Sequence, residues 1–233
     1  MNKRHLILAS SVAAILAAPA AFATCPKPAL QFGGDDTGII TWQPNRLDSP
    51  LDPNHGRLAV HVLRQDGDDY VYAISNCSGI EGQLVGAVRN LSFDFENESV
   101  EPAVHIGAGS PRYSVEIDSD GDTVSDTTAF LAAFHCRADL PENPGWSRAD
   151  FTGRTLAGCS IFVGAEQFTS DGAKSAWKLF AEAHPTYKVT QAYLLIDEEG
   201  TSFVDRLAFH NKMYVQAGTG TAAIKTCGTE SSC

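Results

Sequence analysis

Glu116-Ile117-Asp118-Ser119-Asp120-Gly121-Asp122, with Asp126 just beyond, is the densest run of acidic side chains in the sequence. Asp118, Asp120 and Asp122 alternate, which is how oxygen ligands for a hard cation are spaced in calcium loops. An EF-hand is not present, because Thr123 stands where the loop needs glycine and Ala129 where it needs a closing glutamate. The same composition suits a solvated hairpin tip, since Asp and Gly favour turn geometry on their own account. Both readings, a calcium loop and a plain turn, stand.

Asp205 raises a different question. Thr201–Phe209 alternates as a strand does, and Phe203, Leu207 and Phe209 fall on one face together with Asp205. A carboxylate on a core-facing stripe costs several kcal/mol unless it is hydrogen-bonded, paired or bound to a metal. The run Ala192–Ile196, the turn Asp197–Gly200 and Thr201–Phe209 together read as a β-hairpin.

Aromatic rings offer a second kind of chemistry, because a ring face stacks on the apolar face of a pyranose. Trp42, Trp146, Tyr70, Tyr72 and Tyr187 are the candidates, and Trp146 leads because Asn143-Pro144-Gly145 places it just after a loop. Trp177 has helical neighbours and is expected to pack a helix onto a sheet. Nucleophilic catalysis finds little: no Gly-x-Ser-x-Gly elbow occurs. His55, His61, His105, His135, His184 and His210 are scattered, without the spacing that binds zinc.

The elements that would carry these residues belong to an exported chain. Lys3, Arg4 and His5 precede an apolar run, Leu6–Ala18, and Ala21-Phe22-Ala23 offers a small-x-small cleavage pattern. Residues 1–23 read as a cleaved signal peptide of bacterial type, and 24–233 as one domain in the secreted or periplasmic space. The apolar run is too short to span a bilayer, and no other stretch approaches that length. Without Lys3 and Arg4, 15 basic side chains face 28 acidic ones, a net charge of about −13. Nucleic acid and anionic membranes attract basic patches, so neither is an expected partner. Cys25, Cys77, Cys136, Cys159, Cys227 and Cys233 are even in number, which in an exported chain points to disulfides.

Short strands dominate the rest. Ala29–Phe32, Ile39–Trp42, Leu58–Leu63, Tyr70–Ile74 and Arg112–Asp118 are each bounded by Gly, Asp or Asn turns. Val85–Phe95 alternates loosely, with Leu91, Phe93 and Phe95 on one face, and Thr128–Cys136 reads as a further strand. One helix stands among them near residues 171–184: Ala173, Ala176, Trp177 and Phe180 have helical spacing, Ser170 or Asp171 can cap it, and Pro185 stops it. A single helix among many short strands is the pattern of an all-β sandwich or barrel.

The order of pieces resembles the jelly-roll, galactose-binding-like β-sandwiches common among carbohydrate-binding modules. The residues that carry it are Phe32-Gly33-Gly34-Asp35-Asp36 then Trp42, Gly56-Arg57-Leu58-Ala59-Val60, Leu91-Ser92-Phe93, and Val204-Asp205-Arg206-Leu207. The resemblance implies a two-layer antiparallel sandwich. It also implies a structural calcium held by Asp205 with a first-strand carboxylate; Gly33 stands where that carboxylate is usual, which leaves Asp35 or Asp36. It further implies Cys25 beside Cys227 or Cys233, Cys77 with the remaining tail cysteine, and Cys136 joined to Cys159 between adjacent strands. Glu116-Ile117-Asp118 followed by Asp120 distantly resembles the Glu-x-Asp-x-Glu strand of β-sandwich glucanases, where two carboxylates flank the glycosidic bond.

The leading expectation is therefore a non-catalytic sandwich that binds a glycan or cell-surface ligand, with calcium as its one offered cofactor. The alternatives are a carbohydrate-active enzyme using Glu116 and a nearby Asp, and a structural or interaction protein of the cell envelope.

Overall fold

A computed structural model describes residues 30–34, 38–43, 57–62, 70–75, 78–96, 110–139, 146–153, 158–197, 200–217 and 221–226. The early strands are β1 (Leu30–Gly34), β2 (Gly38–Gln43), β3 (Arg57–Val62), β4 (Val71–Ser75) and β5 (Leu91–Glu96). The middle ones are β6 (Arg112–Asp118), β7 (Thr127–Ala132), β8 (Arg137–Asp139), β9 (Trp146–Asp150), β10 (Ser160–Val163) and β11 (Glu166–Thr169). After helix α1 (Ala176–Ala183) come β12 (Lys188–Ile196), β13 (Gly200–Phe209), β14 (Lys212–Ala217) and β15 (Thr221–Thr226).

These strands form a two-layer antiparallel β-sandwich. The front sheet has the order β1-β4-β12-β6-β7-β10-β11, and the back sheet β15-β14-β13-β5-β9-β8. The first half of β13 also pairs with β3, which pairs with β2. Period-two alternation decides what lies between the layers. Val71 and Ala73 of β4 and Tyr113, Val115 and Ile117 of β6 turn inward to meet Leu91, Phe93 and Phe95 of β5. Each fully buried ring or branched chain contributes roughly 1.5–3 kcal/mol. Tyr113 packs edge-on to Phe93, with ring centres 5.1 Å apart, and its hydroxyl crosses the core to the carbonyls of Ser92, at 2.9 Å, and Ala208, at 3.1 Å. Burial holds its pKa well above the usual tyrosine value.

Helix α1 closes one end. Ser175, not Ser170 or Asp171, is its N-cap, with its hydroxyl accepting from the Lys178 amide. The Asp171 carboxylate is already used by the amides of Ala173 and Lys174, both at 2.8 Å, so it builds the turn before the helix and cannot also start it. Trp177 is buried as expected, and its indole N–H donates to the Val85 carbonyl at 2.9 Å.

Residues 191–210 depart from the expected hairpin. Both runs are strands, but β12 lies in the front sheet and β13 in the back sheet. The reason is edge occupancy: β12 is flanked by β4 on one side and β6 on the other, which leaves no edge for β13. Asp197, at the end of β12, is held by Arg112 through two bonds of 2.8 and 2.6 Å and by the Ser110 hydroxyl at 2.8 Å.

Asp205 also changes face. The register of β13 against β5 shifts between Asp205 and Ala208, and Arg206 there has φ 49°, a β-bulge. Inward positions therefore run Val204, then Leu207 and Phe209, and Asp205 points out of the back sheet, away from the shared core. Two smaller expectations are revised. Val85–Ala87 is a 3-10 turn separate from β5, and the strand expected over Thr128–Cys136 ends at Ala132, where a second 3-10 turn begins.

Cys136 and Cys159 form a disulfide between the end of β7's extension and the start of β10, which are adjacent strands. Cys25, Cys77, Cys227 and Cys233 lie outside the described residues.

Candidate ligand-binding face

The outward face of the front sheet is where exposed rings collect. Across β4, β12, β6, β7 and β10, one row of register neighbours reads Ile74, Tyr193, Ser114, Phe130 and Phe162. A second row reads Gly33, Tyr72, Leu195, Arg112 and Ala132. At about 4.8 Å per strand, the first row spans roughly 19 Å. Alternation puts these residues outside because their neighbours Ala73, Leu194, Tyr113 and Leu131 are the core.

Tyr70 is 43% exposed and Phe130 40% exposed, values that leave ring faces in contact with solvent. Tyr70 and Tyr72 stack with centres 6.3 Å apart, and Tyr72 meets Tyr193 edge-on at 6.2 Å. The hydroxyl end of the Tyr72 ring lies against Gly33: a Cβ there would stand 2.4 Å from it, so a larger residue would push the ring aside. Arg112, matched in charge by Asp197, sits over the Phe130 ring at 5.4 Å from its centre.

Glu116 is the polar centre of this face. Its Oε2 accepts from the hydroxyls of Ser125, at 2.7 Å, and Thr128, at 3.0 Å, and its Oε1 from Tyr193 at 2.9 Å. Burial, and then the bond to Glu116, pushes the Tyr193 pKa up to about 12, so this phenol keeps its proton at any physiological pH. A glycosidase reading would need a second carboxylate beside Glu116. Asp118 is 1% exposed, and its two oxygens accept from the amides of Gly121, at 2.6 Å, and Thr123, at 3.0 Å. It is engaged in shaping the turn.

That turn adjoins the face. Asp118, Asp120 and Asp126 each bring an oxygen within 4.8 Å of the others, the one such carboxylate group found among the described residues. Asp120 and Asp122 each accept an amide two residues on, and Asp126 accepts the Ser119 amide and hydroxyl, both at 2.7 Å. Those bonds from Ser119 hold the Asp126 pKa below its ordinary value. Thr123 adopts φ 74°, the left-handed conformation that glycine supplies at the equivalent place in calcium loops.

The back sheet carries a different cluster on its own outward face. Ser92, Asp94 and Glu96 alternate with the core residues of β5 and are all buried. Asp94 takes Arg148 on one oxygen at 3.2 Å and Arg206 on the other at 3.4 Å, while Arg148 also donates to Ser92 at 2.8 Å. Asp205 lies in register with Asp94 and accepts the Arg206 amide at 2.7 Å.

The sequence candidates therefore separate. Tyr70 and Tyr72 share the front face with Tyr193 and Phe130, two residues the sequence did not single out. Tyr193 looked like one more apolar-strand residue, and only the register shift in β12 between Val189 and Gln191 brings it outward. Trp146 is corrected: it lies in register with Glu96 on the outward face of the back sheet but is only 2% exposed, and so presents no ring face to a ligand. Tyr187 packs against the core, stacked on His184. The side chain of Trp42 and residues Asp35 and Asp36 lie outside the described set. Asp205 belongs to the back sheet, and the calcium pairing that the resemblance implied falls on Asp35 or Asp36, outside the described residues.

Comparison of the chain with protein-family profiles, with curated proteins and with solved structures gave no match.

Proposed function

We propose that this is an exported, non-catalytic β-sandwich that binds a glycan of its surroundings through the outward face of the front sheet. The observation that carries the reading is the set of rings formed by exposed Tyr70 and Phe130 with half-buried Tyr72 and Tyr193, on a sheet whose other face packs the core. Aromatic faces flanked by a few convergent polar groups are how sugars are held without being turned over. The amino-terminal sequence and the Cys136–Cys159 bridge support export to an oxidising compartment. The test is a glycan array on the chain from Thr24 onward, with hydrolysis products assayed in parallel. Retention of a glycan without product, lost in Tyr72→Ala, is the expected result. New reducing ends, or retention untouched by Tyr72→Ala, would overturn it.

Calcium is a second reading, favoured by one local observation. Asp118, Asp120, Asp122 and Asp126 fall at the first, third, fifth and ninth loop positions, and Thr123 at the sixth has the backbone that position requires. The ion would brace the turn beside Glu116. A site filled at a hundredfold excess over its dissociation constant stabilises the fold by about 2.7 kcal/mol, several degrees in melting temperature. The same melt with chelator, and with Asp120→Ala, reads it; three coincident curves would end the idea.

A further inference from the structure

The surroundings of Glu116 narrow the class of glycan, taking the front face as the glycan-binding surface. An ionised carboxylate accepts hydrogen bonds and donates none. The protons of the Thr128 and Tyr193 hydroxyls are therefore directed at Glu116, and that of Ser125 at Glu116 or, at 3.2 Å, at the Thr127 carbonyl. What these oxygens have left to offer a ligand is lone pairs. Tyr193 does not lose its proton to become a different group, because its pKa is raised.

Charge points the same way. Asp120, Asp122 and Asp126 are exposed at the hairpin tip next to Ser125. Of the basic side chains on this face, Arg112 is matched by Asp197, and Lys188 lies in register with Asp118. An acceptor-only patch set in negative potential is complementary to a group that is all donor and positively charged. An ammonium has three donors, no acceptor and a unit charge. A carboxylated or sulfated sugar would face both a shortage of donors and like-charge repulsion.

We propose that the glycan bound here carries free amino groups, and that a protonated amine of one sugar sits against Glu116, Thr128 and Tyr193 while neighbouring rings stack on Tyr72 and Phe130. The contact is a charge-assisted hydrogen bond at a half-buried site, so it discriminates between sugars of similar shape.

The experiment compares three β-linked hexasaccharides, of glucosamine, of glucose and of galacturonic acid, by calorimetry at a pH where the amine is protonated. The glucosamine chain is expected to bind about tenfold tighter than the glucose chain at low salt, with the gap narrowing as salt screens it. The galacturonate chain is expected not to bind. Glu116→Gln should shrink the gap to about twofold; the salt series on the unaltered protein gives an answer even where that variant folds poorly. Equal affinity for glucosamine and glucose, or preference for galacturonate, overturns the amine assignment and leaves the glycan reading standing. Binding of none of the three removes the amine assignment, and the array then decides the glycan reading separately.

Discussion

Tyr193 on the front sheet and Asp94 on the back sheet hold equivalent places. Each sits mid-strand near the middle of its layer, with its side chain directed away from the shared core. Their surroundings are opposite. Around Tyr193 the face is half-open, its rings touch solvent, and its one central carboxylate is satisfied by neutral hydroxyls. Around Asp94 the side chains are buried, and charge is met by charge, with Arg148 and Arg206 closing on both oxygens. A buried ion cluster is costly to disturb and offers little to a ligand. An open face with neutral partners is the reverse, since its residues can be changed without threatening the fold. The difference separates what the chain spends on holding itself together from what it leaves available for recognition.

The largest effect should come from the buried side. Asp94→Ala leaves two arginines without their shared carboxylate and is expected to cost about 3–5 kcal/mol, read as a lower urea midpoint. A loss under about 1 kcal/mol would mean that water reaches the cluster and that the two faces are alike. On the open side the expected pattern inverts. Tyr70→Ala should change stability by no more than about 0.5 kcal/mol, while weakening glycan retention several-fold. Gly33→Ala sharpens the same point without removing a ring: the added methyl displaces the end of Tyr72, so binding falls while the melting temperature moves little.

Acid and alkali should find different faces. Tyr193 has a folded-state pKa of about 12 against an ordinary 10.0, so the folded state favours the protonated phenol. Its contribution is complete below the ordinary value and is lost as pH rises toward the folded one. In an absorbance titration one late-ionising phenol should vanish in Tyr193→Phe. His210, at the end of β13, accepts the Arg89 amide on Nδ1, and burial followed by the nearby Arg89 charge holds its pKa below the ordinary 6.5. The neutral ring is the folded form, so its contribution is present above pH 6.5 and declines as pH falls toward the folded value. This is the smallest expected effect. A melting-temperature profile of His210→Gln as steep as the parent's across roughly pH 7 to 5, the range in which a histidine of lowered pKa titrates, would show that the acid limb lies elsewhere.

Much of this architecture could be read from residue order. Leu91, Phe93 and Phe95 do form one inward face and Trp177 does anchor a helix, because period and spacing are local properties; the Cys136–Cys159 bridge was implied by the resemblance and not by residue order. What could not be read was non-local. Two strands joined by a short polar turn look the same whether they pair or enter opposite layers, and the choice rested on β4 and β6 already flanking β12. The two bulges, in β12 and β13, shift parity by one residue, which moved Tyr193 outward and turned Asp205 off the core. Trp146 followed the alternation of β9, and its place after a loop carried no information about which side of the sheet was covered.

Tyr113 has a mechanical consequence. Layers that meet through apolar side chains alone resist separation but tolerate sliding, since dispersion contacts have no direction. A phenol rooted in β6 and bonded to main-chain oxygens of both β5 and β13 is directional, and it engages β13 beside the bulge. It acts as a shear pin, locking the offset between layers and with it the curvature that the ring-bearing surface inherits.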